Sequence, residues 1–285
     1  KKVIFAGYAT DPLFYKHIED LVQVTLDNNQ IFGFHTKAIN ISNRLMEQIT
    51  RSSIAPLSYF SISVDAGNNE TYNKVHGIPQ SQAKLYDKVI ANIRRLVDER
   101  SKTDAPRDIS ATYLLNPLNN SSEEVLKSIH DLREAGVDLI RFTFPQVPRG
   151  YSVSSNDSNI PTHEQITEYM KRLRPLIEQE NDSRCQVLIL DLDAMHDVYE
   201  VPRSLPCFAR YIFPSIGFDG WLSHCSESAA PHFRGLAMGN LQEQDFWDIF
   251  YNYEVDDFKG GMNVACGKME QFNCKCDRKE HVVNF

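Results

Sequence analysis

The chain lacks any long apolar run. Its longest, such as Val187 to Leu190, are strand-sized, far short of the ~20 residues a membrane helix needs, so no membrane partner is expected. It lacks a lysine-rich block and carries a net charge of −8 over 285 residues, which argues against a nucleic-acid backbone as the main partner. It has no visible internal repeat and no Cys-x2-4-Cys pair, the knuckle that structural zinc sites ordinarily use. What remains is an ordinary globular composition, 42% hydrophobic and 24% charged, with enough chain for one large domain or one domain with an appendage.

Up to about Val201, strand-like and helix-like segments alternate. Strands are expected at Val3 to Gly7, Ile31 to Thr36, Tyr59 to Asp65, Ile109 to Leu115, Leu139 to Phe144 and Gln186 to Asp193. Between them, helical spacing covers Pro12 to Asn28, the residues after an N-cap at Ser42, Gln80 to Glu99, Ser121 to a C-cap at Gly136, and Thr162 to Gln179. Six such alternations imply parallel strands, in a barrel-like sheet or an open doubly wound one. In both, ligands gather at the C-terminal strand ends. Those ends carry Gly7-Tyr8-Ala9-Thr10, Thr36-Lys37, Ser63-Val64-Asp65, Asn116-Pro117 and Asp191-Leu192-Asp193.

Beyond Pro202 the alternation ceases, and five of the six cysteines (Cys207, Cys225, Cys266, Cys274, Cys276) fall in the last 79 residues. Cys185, before an apolar strand, reads as a buried small hydrophobe. Ile212 to Ile216 and Trp221 to Ser223 form a candidate hairpin turning at Phe218-Asp219-Gly220, which would bring Cys207 and Cys225 to one end. Thiolates so clustered suit an iron–sulfur cluster or zinc, and the irregular spacing favours the cluster. Disulfides are the third reading.

The sequence Cys-x12-Gly-x4-Cys (Cys207, Gly220, Cys225), followed by Gly239-Asn240-Leu241, by Phe246-Trp247-Asp248-Ile249-Phe250 and by the last three cysteines, resembles the SPASM/twitch domain of radical SAM enzymes. Met269 stands where a full SPASM tail would have another cysteine, so the shorter, one-cluster twitch form is the better match. Upstream, Val3 to Pro12 resembles the GGEP strand with Asp11 in place of Glu. Phe34-His35-Thr36-Lys37-Ala38 resembles the TNG strand end, and Ser61-Ile62-Ser63-Val64-Asp65 the SIDG strand. Tyr72 and Val75-His76-Gly77 fit the usual sequel.

The resemblance implies an α/β fold: a partial (β/α)6 TIM-like barrel over 1–201, N-terminally truncated so that it starts at the second strand, and a small cysteine-rich SPASM/twitch domain over 202–285. It implies S-adenosylmethionine held by Gly7, Tyr8, Thr10, Asp11, Thr36, Ser63 and Asp65. It also implies an auxiliary 4Fe-4S cluster on four of Cys207, Cys225, Cys266, Cys274 and Cys276. A second 4Fe-4S cluster needs the family's Cys-x3-Cys-x2-Cys loop, which the chain lacks; the expectation is that the loop lies upstream of Lys1, the alternative being a non-catalytic remnant. Activity would be reductive cleavage of S-adenosylmethionine to a radical that abstracts hydrogen from a substrate, with electrons from a flavodoxin or ferredoxin, in the cytoplasm. A peptide or protein substrate is preferred over a small molecule such as a sugar. The rival class is a non-catalytic iron–sulfur or zinc-stapled binding protein. No catalytic side chain stands out. Arg141, Asp191 and Asp193 are candidates to face substrate or to pair inside the barrel. His76 and His224 read as solvated loop residues, and Trp221 and Trp247 as core.

Overall fold

In a computed structural model, which describes residues 2–7, 10–51, 57–79, 84–103, 106, 108–145, 159–190 and 209–252, the alternation becomes six parallel strands: β1 (Lys2–Ala6), β2 (Ile31–Thr36), β3 (Tyr59–Ser63), β4 (Asp108–Leu114), β5 (Leu139–Thr143) and β6 (Gln186–Ile189). They lie side by side in chain order. A doubly wound sheet requires that order to reverse part-way, so the open alternative is excluded. Parallel neighbours joined by right-handed crossovers put every connecting helix on one face, and the sheet curls as a partial barrel.

Those helices are α1 (Ile18–Asp27), α2 (Asn43–Arg51), α3 (Asn69–Val75), α4 (Leu85–Thr103), α5 (Ser122–Ala135) and α6 (His163–Gln179). Ser42 caps α2 by accepting the Leu45 N–H at 3.0 Å. Ser121 caps α5, and Gly136 closes it at φ +87°, a value that favours glycine. Thr162 and Gln165 form a capping box on α6. The single helix expected over Pro12 to Asn28 is two pieces. Asp11 nucleates a 3-10 turn over Pro12–Phe14, and Tyr15 then leaves helical space at ψ 121° before α1 begins. Helix α3 escapes the periodicity reading because it is short; Asn68 fixes its start by accepting the Thr71 N–H. The fourth helix runs from Leu85 to Thr103 rather than Gln80 to Glu99, residues 80–83 lying outside those described.

The two sheet faces differ. Phe32, Phe34, Phe60, Ile62, Ile109, Ala111, Tyr113, Ile140 and Phe142 are fully buried. Phe5, Phe34 and Phe60 stack in a row across β1–β3, with centroids 4.9 and 4.7 Å apart. The opposite face alternates with them and is half-buried: His35, Tyr59, Ser61, Ser63, Ser110, Thr112, Arg141 and Thr143. Parallel sheets covered on both sides read as continuous apolar runs. Here one face is core, and the other mixes these polar side chains with apolar ones such as Ile31, Leu139 and Leu188.

Residues 1–146 with 157–191 form one compact unit, and 147–156 with 192–285 another. The boundary expected near Val201 lies outside the described residues. In the second unit the candidate hairpin forms, shorter than expected: β7 (Ser215–Ile216) pairs antiparallel with β8 (Trp221–Ser223). Ile212, expected in a strand, instead ends a short helix α7 (Ala209–Ile212). Gly220 takes φ +82° in the turn. A third strand, β9 (Gly239–Asn240), pairs with β8, and α8 (Phe246–Asn252) follows.

Candidate functional site

The C-terminal ends of β1, β2 and β3 converge on one polar cluster. Gly7 follows β1 where the chain doubles back; a Cβ there would run into the Thr10 carbonyl. That turn delivers Asp11, buried, whose carboxylate accepts the Leu13 N–H at 2.9 Å, the Thr36 hydroxyl at 2.8 and 2.9 Å and the Lys37 N–H at 2.5 Å. Asp11 and Thr36, two residues read independently as cofactor contacts, are therefore bonded to each other. Asp11 acts as the clip that sets the β1 loop against the end of β2.

After β2 and β3 the backbone enters left-handed space at Ala38 (φ 55°) and Asp65 (φ 55°). Left-handed residues other than glycine are costly and concentrate at functional sites. The Asp65 carboxylate is buried and accepts the Leu114 N–H at 2.7 Å. Burial raises its pKa to about 6, against the pull of that N–H and of Lys37. His76 stands beside it, Nε2 3.9 Å from a carboxylate oxygen, with its ring 4.4 Å from that of Tyr72. Burial, helped by Lys37, lowers the His76 pKa to about 4, opposed by its hydrogen bond to Val64. His76 is thus a neutral buried imidazole, not the solvated loop residue expected. Its Nε2 and the Tyr72 hydroxyl are buried without hydrogen-bond partners. Buried polar atoms left so are uncommon, and each calls for a water, an ion or a ligand to complete its contacts.

The loop after β4 holds this cluster in place. Asn119 donates to the Asp65 and Leu114 carbonyls, each at 2.9 Å, and accepts the Asn116 N–H at 2.8 Å. Glu124 accepts from the Gly67 N–H at 2.6 Å and the Asn68 amide at 2.5 Å. Ser63 pairs in register with Thr112 on the polar face. Along that face Ser61 lies 3.4 Å from Thr112, which accepts from Arg141 at 3.2 Å, while His35 and Tyr59 share a 2.9 Å hydrogen bond. The Tyr59 ring lies where a Cβ on Gly33 would be. The apolar–polar alternation of these strands is legible in the sequence; that the polar sides line up across strands depends on register.

In the second unit, β8 leads into Cys225, which is buried. Its N–H donates to Ser228 Oγ at 3.1 Å, and its sulfur lies 3.5 Å from the same oxygen. Gly220, Asn240 and Leu241 meet here: the Leu241 N–H donates to the Gly220 carbonyl at 2.8 Å, and Asn240 accepts from the Gln242 N–H at 2.9 Å. The motif residues around Cys225 thus share one small sheet. Cys207, Cys266, Cys274 and Cys276, like Tyr8, Asp191 and Asp193, lie outside the described residues. Among the described residues no three metal-ligating side chains cluster. His224 is 3% exposed rather than solvated. Trp247 is half exposed rather than core, stacked on Tyr251 at 5.5 Å. Cys185 is buried as expected, with its thiol pKa pushed up to about 11 by burial.

No protein-family model and no curated protein matches the sequence. Solved structures do match in shape. Streptococcus suis SuiB bound to S-adenosylmethionine superposes with a TM-score of 0.59 at 14% identity, over 90% of this chain and 55% of that one. SuiB bound to precursor peptide SuiA gives 0.57 at 14%, over 91% and 55%. anSMEcpe with bound AdoMet and Cp18Cys peptide gives 0.58 at 15%, over 96% and 76%. The shared property is the fold. This chain has the partial (β/α)6 barrel of those structures and spans about 55% of the length of SuiB. Among the described residues, no helix is long and apolar enough to cross a membrane.

Proposed function

We propose that this chain is the main part of a radical SAM enzyme that acts on a peptide or protein. The observation that carries the reading is the coincidence of two features. The barrel is that of proteins solved with S-adenosylmethionine bound, and α3 with its C-cap sets two buried polar atoms, Tyr72 Oη and His76 Nε2, without hydrogen-bond partners beside Asp65 at the end of β3. Gly7, Thr10, Asp11, Thr36, Ser63 and Asp65 would hold the cofactor, with Tyr8 from the same β1 loop. The clip of Asp11 on Thr36 and Lys37 positions that loop. Asp65, ionised at neutral pH, suits a hydroxyl or ammonium donor. Beside an iron–sulfur cluster, S-adenosylmethionine supplies a 5′-deoxyadenosyl radical that takes hydrogen from a substrate. The protein's part is orientation and exclusion of water.

That activity requires a Cys-x3-Cys-x2-Cys loop from outside these 285 residues. Four of Cys207, Cys225, Cys266, Cys274 and Cys276 would bind an auxiliary 4Fe-4S cluster, and a flavodoxin or ferredoxin would supply electrons. Peptide substrates are preferred because SuiB and anSMEcpe were each solved with a peptide. The test is anaerobic purification of the natural full-length protein. It should be brown, contain iron and sulfide in cluster proportions, and release methionine and 5′-deoxyadenosine when reduced with S-adenosylmethionine present. A colourless zinc protein, or an iron-replete one that leaves S-adenosylmethionine intact, overturns the proposal.

A further inference from the structure

Among the described residues, the polar face of the barrel holds a cation, Arg141, with no carboxylate paired to it. Arg141, at the middle of β5, donates to the Thr112 hydroxyl at 3.2 Å, and its Nε is buried without a hydrogen-bond partner. No carboxylate among the described residues pairs with it. The strand registers put Lys2, His35, Tyr59, Ser61, Ser63, Ser110, Thr112 and Thr143 on this same face, and one acid, Asp108. Asp108 is four residues along β4 from Thr112, on the order of 13 Å away at the rise of a strand. A partly buried guanidinium with unused donors is costly to leave so. Its planar fork matches a carboxylate, with two parallel N–H donors to two oxygens. The flanking hydroxyls of Ser61 and Thr112 add neutral donors and no competing charge. Arg141 is two strands from the β1–β3 cluster, roughly 10 Å at the spacing of neighbouring strands, and so belongs to whatever lies beside the cofactor rather than to the cofactor.

We infer that Arg141, aimed by Thr112, is a specificity-determining anchor for a carboxylate of the substrate. The carboxylate is an Asp or Glu side chain or the C-terminus of a peptide. This rests on the function proposed above and names the recognition chemistry within it.

The test presents a random hexapeptide library to the immobilised, anaerobically purified full-length protein, in free-acid and C-terminally amidated forms. Retained peptides should be enriched roughly ten- to a hundredfold in Asp or Glu over Asn or Gln (a side-chain source), or in free acid over amide (a C-terminal source), as expected for charge-assisted hydrogen bonds. R141Q should abolish the preference and R141K retain part of it. If R141Q does not fold, Thr112→Val, which keeps the shape and loses the aiming hydroxyl, should reduce it severalfold. No carboxylate preference in the natural protein, or an undiminished one in the variants, overturns the inference. So does a tenfold weaker affinity of R141Q for S-adenosylmethionine by calorimetry, which would assign the arginine to the cofactor's own carboxylate. Selection of carboxylates that depends on Arg141, in a protein that does not bind S-adenosylmethionine, upholds the anchor while removing the proposed function.

Discussion

At the scale of single residues, Asp65 carries the sharpest consequence. Its pKa of about 6 in the fold, against 3.8 ordinarily, means that the folded state holds the proton more tightly than the unfolded one. Its contribution to stability is complete below pH 4 and lost as pH rises through 6. His76 runs the other way. With a folded pKa of about 4 against 6.5, its contribution is complete above pH 6.5 and lost as pH falls through 4. Between pH 4 and 6 the two slopes oppose each other. Asp65→Asn keeps an acceptor for the Leu114 N–H, tolerates the left-handed backbone and removes the buried charge. At pH 7 urea unfolding should show the variant more stable than the natural protein, by up to about 3 kcal/mol at 1.36 kcal/mol per pKa unit. Its stability should now rise with pH from 4 to 6.5, the His76 slope alone. A less stable variant would show that the Asp65 charge is compensated in the fold. Sequence placed Asp65 at the site but assigned His76 to solvent, because solvation of a loop histidine is decided by the elements packed around it.

At the scale of elements, the loop after β4 is the brace for the strand ends. Asn119 satisfies three buried backbone groups with one side chain. Asn119→Ala should cost about 3 kcal/mol: the Leu114 carbonyl keeps the Asn116 amide as a donor, but the Asn116 N–H and the Asp65 carbonyl lose their partner, and each buried group left unpaired costs about 1–3 kcal/mol. Chemical denaturation would show it as a lower midpoint with an unchanged slope, and a loss under 1 kcal/mol would mean that the loop is held otherwise. Strand β2 offers a second case. Gly33 leaves room for the Tyr59 ring, so Gly33→Ala should displace that ring and break its bond to His35, at about 1–3 kcal/mol for overpacking. A shifted Tyr59 fluorescence or resonance would report it. The sequence shows Gly33 only as a glycine in a strand. Its partner is set by the register of β3, 26 residues away.

At the scale of the whole molecule, the chain divides into two compact units. The first holds strand-end polar groups on a barrel. The second sets Cys225 on a three-stranded sheet. If thiolates of the second unit bind a cluster, Cys225→Ala should lower bound iron and sulfide. It should also lower the melting transition of that unit while leaving the barrel's unfolding in place, because metal binding supplies folding energy locally. Iron content equal to that of the natural protein would remove Cys225 from the ligand set.

The residues alone determined the six barrel strands and their succession along the chain, the caps at Ser42, Ser121 and Gly136, and the polar residues at the strand ends. Each of these is written in local spacing and local hydrogen-bond chemistry. Tertiary structure decided the rest. Chain-order pairing chose the partial barrel over the doubly wound sheet. Packing of α3 buried His76 and Tyr72 beside Asp65. The registers of β3, β4 and β5 brought Ser61, Thr112 and Arg141 into one polar row. Pairing, burial and register are relations between segments dozens of residues apart, and a local reading of the chain contains none of them.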